Sequence, residues 1–257
     1  MIKYKTLDII TVTKNDEFNL ECTYKSIENI LKNGDSKITW IIVDSGANFQ
    51  STHLYNRILS NTEIKLKYHI NPSLDIYQAM NFGLTHVTSD FFMLVNSGDL
   101  IDENILNYID DLPSGQVSCF QSAWHSSEQQ NLNYRKKYRI SRRFARMPNH
   151  QAMIFPMQFR NEKYNVKFKV SADQDLKIRL LKESKLSFRE EIVVSSLIGG
   201  ISTHRMGFRE AFTRSIETKS ILVTHYNYVW AILLSCMYSL KYFSRVDIKQ
   251  IFFKDSK

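Results

Sequence analysis

The sequence predicts an α/β fold in which a mainly parallel sheet is flanked by helices and followed by a C-terminal helical appendage. Strand-like and helix-like segments alternate over the first hundred residues, which is the pattern of a doubly wound parallel sheet. Several apolar runs stop at clusters of Asn, Asp, Ser and Gly, as buried strands do where they enter turns. From Gly207 onward the pattern is helical.

The first hundred residues contain four predicted strands separated by three helices. The strands are apolar and rich in β-branched residues, and the helices have apolar residues at helical spacing. Gly34 is a stop signal for the first helix, and Asp75 is a candidate N-cap for the third. The strands are predicted at Leu7–Thr13, Ile38–Val43, Ile64–His69 and Phe91–Val95, and the helices at Glu17–Leu31, Ser51–Leu59 and Ile76–His86.

The later part of the chain alternates less regularly. A last helix, predicted over Asn227–Phe243, is interrupted by Ser235 and Ser239 and is shorter than the ~20 apolar residues that span a bilayer. Such a helix could lie in a membrane interface, or it could pack on the domain or against a second copy in a dimer. The other predictions are helices over Glu103–Asp111 and from Leu176 to about Ser184, and strands over Val117–Trp124, Ala152–Phe155, Val166–Ala172 and Phe188–Leu197.

Charge and composition limit the classes of function. The 257 residues have 34 Lys and Arg against 26 Asp and Glu, a formal net charge of +8. Residues 135–146 contain a block of basic residues with no acid, namely Arg135, Lys136, Lys137, Arg139, Arg142, Arg143 and Arg146. Such a block indicates nucleic acid, a membrane surface or a phosphorylated substrate as partner, or is simply a solvated loop. Neither a G-x-G-x-x-G fingerprint nor a Walker A sequence is present.

The cysteines and the N-terminus indicate a reducing compartment. Cys22, Cys119 and Cys236 are far apart and have no metal-ligand spacing. An odd number of isolated thiols fits a reducing compartment better than a disulfide framework. Met1–Lys5 leads directly into a strand-like segment, without the apolar region of a signal peptide. We therefore expect a cytoplasmic protein.

Two polar clusters follow predicted strands. Asn96-Ser97-Gly98-Asp99 comes directly after the apolar run Phe91–Val95, and open α/β sheets bind ligands beyond the carboxyl ends of their strands. Asn96 and Asp99 are therefore candidates for binding a small anionic ligand and a hard cation, although the same residues also make a good turn. Asp44, at the end of the second strand, is placed to meet a ribose or base edge, or to cap a helix.

Seven short segments occur in a distinctive order. They are IITVTKN at 9–15, WIIVDSG at 40–46, DIYQAMNFGL at 75–84, LVNSGD at 94–99, NHQAMIFP at 149–156, VSADQDL at 170–176 and GGIST at 199–203. Together they resemble family 2 glycosyltransferases of the GT-A fold, and especially the bacterial exopolysaccharide, O-antigen and colanic-acid cluster enzymes. The resemblance covers roughly residues 7–205. It implies a catalytic domain at 1–205, with a nucleotide-binding half (1–102) and an acceptor half (103–205), and a separate helical segment at 206–257.

The resemblance implies an inverting transferase that moves a sugar from a nucleotide-sugar, usually a UDP-sugar, to another glycan. Asp99 matches the family's metal motif, so a divalent cation, Mn²⁺ or Mg²⁺, would bridge it to the donor diphosphate. The implied donor-binding residues are Thr11, Val12, Thr13, Asn15, Asp44, Asn96 and Ser97.

Asp173 matches the family's general base, which deprotonates the acceptor hydroxyl as it attacks. Asp175 is a second candidate, although it points elsewhere if the segment is already helical there. Asp173 is equally a favoured type of helix N-cap. His150, Gln151 and Tyr77 match positions near the donor sugar or the acceptor, and His150 is alternatively a buried structural histidine. His204 and Arg205 are candidates to contact the diphosphate, or are simply exposed.

Three departures from the family pattern affect these expectations. Gly98 stands where many members have a second acid, Asp75 stands where Gly is common, and residues 48–52 lack the usual Asp-Gly-Thr. One alternative is therefore a non-catalytic scaffold or nucleotide-binding member of the fold. The other alternative is a nucleic-acid binder. It would explain the net charge but not the spacing of Asp44, Asp99 and Asp173, so we expect no nucleic-acid partner.

The expected function implies a location. A polyprenyl-diphosphate-linked glycan acceptor would place the protein at the inner face of the cell membrane. The basic block at 135–146 would contact anionic lipid, at ~1 kcal/mol for each basic residue near the surface, and residues 226–245 are a possible second contact. A homodimer through the same C-terminal helix is the other possibility.

Overall fold

The computed structural model describes residues 4–33, 37–46, 53–60, 64–126, 129–136, 147–183, 186–197 and 207–246. Within these ranges the chain forms one mixed sheet with helices on both faces. The strands are β1 (Leu7–Thr13), β2 (Ile38–Asp44), β3 (Leu66–Ile70), β4 (Phe91–Asn96), β5 (Leu100–Ile101), β6 (Val117–Ser126), β7 (Gln129–Lys136), β8 (Met153–Pro156) and β9 (Leu186–Leu197). The helices are α1 (Glu17–Asn33), α2 (His53–Ser60), α3 (Ile76–Thr85), α4 (Leu106–Ile109), α5 (Ala172–Glu183), α6 (Phe208–His225) and α7 (Tyr228–Phe243).

The N-terminal half is the parallel sheet that the sequence predicts. Its order is β3-β2-β1-β4, and all three pairings are parallel. Thr13 lies beside Asp44 of β2, and Val12 lies beside Asn96 of β4. Because parallel strands end at one edge, this register places the polar residues after the strands together. The predicted capping of α3 is confirmed, since the Asp75 side chain accepts from the Gln78 N–H in a capping box.

The C-terminal half of the sheet is mixed. β8 is antiparallel to both β4 and β6, β6 is parallel to β9, and β5 is antiparallel to β9. The hairpin of β7 on β6 was not predicted. The expected mainly parallel sheet is thus entirely parallel only in its first half, and the second half combines the parallel β6–β9 pairing with antiparallel ones. The sequence did not show this, because periodicity identifies a strand but does not indicate its direction.

The strand predicted over Val166–Ala172 is absent, and this segment is a loop that leads into α5. The Lys169 and Val170 backbone N–H groups donate to the Glu217 carboxylate of α6, at 2.8 and 3.2 Å. A side chain thereby satisfies the backbone groups that a strand would have paired. The apolar residues of this segment misled the sequence prediction.

Two apolar cores lie on opposite faces of the sheet. Alternate residues of β1 point to each: Leu7 and Ile9 to one, Ile10 and Val12 to the other. Residues of α1 and α2 cover the first face, and residues of α3 and α5 cover the second.

Helices α6 and α7 form a hairpin that packs on α5. Ile178 of α5 shares a small buried cluster with Ile221, Leu222 and Leu234. The Thr218 hydroxyl donates to the Gln174 side-chain oxygen at 3.0 Å, so the appendage is joined to the helix whose first turn contains the candidate base Asp173. The division at residue 205 remains a prediction. None of the helices in the described ranges combines the length and apolar content needed to cross a bilayer.

Candidate active site

A cavity of about 380 Å³ lies beyond the carboxyl ends of β1, β4 and β9. Its walls also include the start of α3, the segment 149–151 and the first turn of α5. Most of the site residues that the sequence predicts line it, namely Val12, Thr13, Tyr77, Asn96, Ser97, Asp99, His150, Gln151 and Asp173. Segments distant in the sequence therefore meet at the edge where open α/β sheets bind ligands.

Several buried polar atoms in this cavity have no hydrogen-bond partner among the described residues. They are Thr13 Oγ1, Ser45 Oγ, Asn96 Oδ1, His150 Nε2 and Ser196 Oγ. Buried polar groups are nearly always hydrogen-bonded, and an unpaired group costs about 1–3 kcal/mol. Their convergence on one cavity indicates a polar ligand with many hydrogen-bonding groups.

Asp173 lies in the first turn of α5 with its side chain 24% exposed. Lys177 Nζ is 2.9 Å from Oδ2, and the Tyr77 hydroxyl is 3.4 Å from Oδ1. Burial alone would raise the pKa of this carboxyl, but the charge and hydrogen bond of Lys177 and the charge of Arg214 outweigh it and hold the pKa at about 2. Asp173 is therefore an ionised carboxylate in the cavity, with one oxygen held by Lys177.

Asp175, the second candidate base, is not placed for that role. It is 5% exposed and does not line the cavity. Its carboxylate pairs with Arg179 Nε at 3.1 Å and lies 3.4 Å from His225 Nε2. Because the segment is helical from Ala172, two residues correspond to about 200° of rotation, which directs Asp175 towards α6 instead.

His150 is both buried and part of the cavity wall. It is 6% exposed, and its ring stands edge-on to Tyr164 at 5.9 Å. Burial lowers the pKa of this imidazole to about 4. The ring is therefore neutral at pH 7. It can donate a hydrogen bond to a hydroxyl or a phosphate, or accept one from a hydroxyl.

Asp99 is built into the turn that follows β4. Its Oδ1 accepts from the Leu197 N–H at 3.0 Å, and its Oδ2 accepts from the Asn96 N–H at 3.1 Å. Burial raises the pKa of Asp99 to about 7, although these hydrogen bonds and one from Gln151 oppose the rise. The carboxyl group thus ties the turn to the end of β9.

These residues do not fit a divalent cation held by the protein. Mg²⁺ and Ca²⁺ take six or more oxygen ligands, with carboxylates prominent among them. Asp99 has backbone donors on both oxygens, and the nearby Asn96 Oδ1 is a neutral amide oxygen. The described ranges contain no cluster of three or more His, Cys, Asp or Glu side chains that could hold an ion.

Three predicted donor-binding residues do not line the cavity. Thr11 is fully buried and accepts from Trp40 Nε1 at 3.0 Å. Asp44 accepts from the Gly46 N–H at 2.7 Å and from the Tyr68 hydroxyl at 2.9 Å, and burial raises its pKa. Asn15 has a left-handed backbone, φ 51°, and packs on Gly46, where no Cβ would fit. The neighbouring residues 47–52, His204, Arg205 and 137–146 lie outside the described residues.

Sequence reasoning missed several wall residues. They are Lys14, Ser45, Trp124, Lys169 and Ser196. Lys14 and Ser45 fall within the segments IITVTKN and WIIVDSG, so their position at strand ends was an available signal. Lys169 and Ser196 have no local signal, because tertiary contacts alone bring them to the cavity.

A family model described as glycosyl transferase family 2 matches residues 8–186. The chain belongs to glycosyl transferase family 2. No curated protein sequence matches it, so relationships beyond the family come from structure.

Solved structures of other proteins share the fold at low identity. TarS 1–349 of S. aureus in complex with UDP-GlcNAc has a TM-score of 0.65 and 12% identity, covering 98% of this chain and 76% of that one. The mannosyltransferase PcManGT of Pyrobaculum calidifontis, in complex with GDP-Man and Mn²⁺, has a TM-score of 0.61 and 10% identity, covering 97% and 78%. Against the longer TarS structure the TM-score is 0.64 at 12% identity, and this chain spans 46% of its length. The predicted GT-A fold is confirmed.

Proposed function

We propose that this family 2 protein is an inverting glycosyltransferase that moves a sugar from a nucleotide-sugar to a hydroxyl of another glycan. The observation that supports it best is the arrangement of the cavity. The ionised Asp173 and the unpaired polar atoms at the ends of β1 and β4 line the same cavity. A sugar nucleotide would bring hydroxyl and phosphate groups to those atoms.

The proposed reaction is a single displacement. The acceptor oxygen attacks the anomeric carbon while Asp173 takes the hydroxyl proton. The bond from the anomeric carbon to the phosphate oxygen breaks on the opposite side, and the nucleoside diphosphate leaves with the electron pair. Lys177 holds Oδ2 of Asp173 at 2.9 Å, which orients Oδ1 for the proton.

We propose a UDP-sugar as the donor. TarS has been seen with UDP and with UDP-GlcNAc, whereas PcManGT has been seen with GDP-Man and Mn²⁺, so the fold accommodates more than one nucleotide. Val12 and Thr13 at the end of β1 and Ser45 after β2 line the cavity and would contact this donor. Asp44 would act indirectly, by holding the Gly46 N–H and the loop after β2.

The proposed acceptor is a polyprenyl-diphosphate-linked glycan of a bacterial surface polysaccharide, which requires contact with a membrane. Helix α7 exposes an apolar stripe, with Val229 71%, Leu233 55% and Leu240 74% exposed at helical spacing. Helix α6 exposes further apolar residues, Phe208, Phe212 and Ile216. The rings of Phe208 and Phe243 lie 5.4 Å apart, which joins the two stripes.

Charge favours an anionic bilayer over a second copy as the occupant of this surface. The exposed charged residues of 207–246 are all basic, namely Arg209, Lys219, Lys241 and Arg245. In contrast, Glu210 pairs with Arg214, and Glu217 is buried. Two copies would bring like charges together, whereas apolar residues beside basic ones suit an interface with anionic lipid.

The triple variant V229E/L233E/L240E is expected to lose flotation with vesicles that contain phosphatidylglycerol. Burying these carboxylates at the lipid boundary is unfavourable, and they also repel the headgroups. The matched control L59E/V166E/F188E changes exposed apolar residues elsewhere and should float like the unmodified protein. Flotation of the first variant at the normal level, or a dimer that dissociates only in that variant, would contradict the lipid contact.

The proposed function is tested by calorimetric titration with UDP, GDP and CMP, followed by transfer assays with UDP-sugars and lipid-linked acceptors. Saturable UDP binding together with transfer supports the proposal. Binding without transfer to any acceptor would favour the non-catalytic alternative, and no binding of any nucleotide would refute a donor site.

A further inference from the structure

The turn Asn96–Asp99 disfavours a second metal-binding acid at position 98. Gly98 has φ +93°, which side-chain-bearing residues rarely adopt. A Cβ there would lie 2.7 Å from Leu197 Cδ2 and 3.3 Å from Asn19 Cβ. The backbone is also fixed, because the Gly98 N–H donates to Thr23 Oγ1 at 2.9 Å and the Gly98 carbonyl lies 2.9 Å from His125 Nε2. The packing around Gly98 is therefore consistent with the absence of a second acid from this turn.

A diphosphate carries negative charge, so its binding in this cavity would nevertheless be favoured by nearby positive groups. Two lysines line the cavity, Lys14 after β1 and Lys169 in the loop before α5. Neither ammonium has a hydrogen-bond or ion-pair partner among the described residues. Within the described ranges, three acids line the cavity. Asp173 is paired with Lys177 at 2.9 Å, Asp16 accepts from the Asn19 amide at 2.8 Å, and Asp99 accepts from two backbone N–H groups.

Lys169 is placed by the C-terminal hairpin. Its backbone N–H donates to Glu217 Oε1 at 2.8 Å, and the next N–H donates to Oε2 at 3.2 Å. Glu217 is 9% exposed. A buried carboxylate that accepts two backbone N–H groups fixes the loop firmly, which presents the Lys169 side chain at the cavity wall.

We propose that Lys14 and Lys169, in place of a divalent cation, neutralise the diphosphate of the nucleotide-sugar. The inference rests on the proposed function, since it assumes a nucleoside diphosphate ligand. Ammonium groups donate charge-assisted hydrogen bonds to phosphate oxygens. They would also stabilise the negative charge that develops on the leaving diphosphate.

The test is calorimetric binding of UDP, and of uridine as a probe without phosphate, in EDTA and in Mn²⁺. The unmodified protein should bind UDP with the same affinity in both buffers. Lys169→Met and Lys14→Met should each weaken UDP binding by about tenfold, the loss of one charge-assisted contact, and leave uridine binding unchanged. Lys25→Met changes an exposed lysine of α1 that pairs with Glu21 and should bind UDP normally.

The possible outcomes separate the two proposals. UDP binding that requires Mn²⁺, or lysine variants that bind UDP normally, would overturn the lysine assignment and leave the donor site intact. No binding of UDP or uridine in either buffer would refute the donor site and the lysine assignment with it. A folding defect is detected separately, because thermal unfolding of each variant is measured in the same buffers.

Discussion

Replacing Asp173 with Asn should lower kcat by about 10²- to 10⁴-fold, the usual contribution of a positioned general base. Asn has nearly the same shape but cannot take a proton, so UDP affinity should change little. The expected result is measured as transfer rate at saturating donor, with calorimetric UDP binding on the same sample.

The control is Asp175→Asn, a matched carboxylate two residues along α5. Asp175 pairs with Arg179 and does not line the cavity. Its replacement should lower thermal stability but leave turnover within a few-fold at temperatures where the protein is folded. The assignment of the base to Asp173 fails if Asp173→Asn turns over normally or if Asp175→Asn alone is inactive.

The second large effect concerns stability. Asp99→Ala should lower the free energy of unfolding by roughly 2–4 kcal/mol, because the Asn96 and Leu197 N–H groups lose their acceptor. Denaturant unfolding in EDTA measures the effect without any metal. Asp102→Ala, a nearby exposed carboxylate that accepts from the Asn104 N–H, should cost about 1 kcal/mol. Equal stability of Asp99→Ala and the unmodified protein in EDTA would indicate that Asp99 is free to be a metal ligand.

The same carboxyl group should make stability depend on pH. In the unfolded chain Asp99 loses its proton near pH 4, whereas in the folded protein its pKa is raised to about 7. Between these values the folded state binds more protons, so its stability should fall as pH rises from 4 to 7. Asp99→Asn should remove this part of the pH dependence, which is on the order of 4 kcal/mol. An unchanged slope would show that Asp99 is already ionised in the folded protein.

Local sequence patterns were sufficient to predict the strands and helices of the first half of the fold. The strands β1, β2 and β4 and the cap at Asp75 follow from apolar runs, turn residues and capping chemistry, all of which involve residues close in sequence. The segment at 166–172 shows where this reasoning stops. Its apolar residues have the pattern of a strand, but Glu217, almost fifty residues later, takes the backbone N–H groups.

The sequence by itself determined the α/β class, the resemblance to family 2 and the candidate site residues, because strand ends and their polar residues are local features. Tertiary structure alone decided what each carboxylate does. Asp173 and Asp175 differ by two residues, yet one lines the cavity and the other pairs with Arg179. Asp99 is buried and links the turn after β4 to the end of β9, because the N–H of Leu197, 98 residues away, donates to it. The physical reason is that burial and hydrogen-bond partners depend on contacts between distant segments, which a pattern of neighbouring residues does not contain.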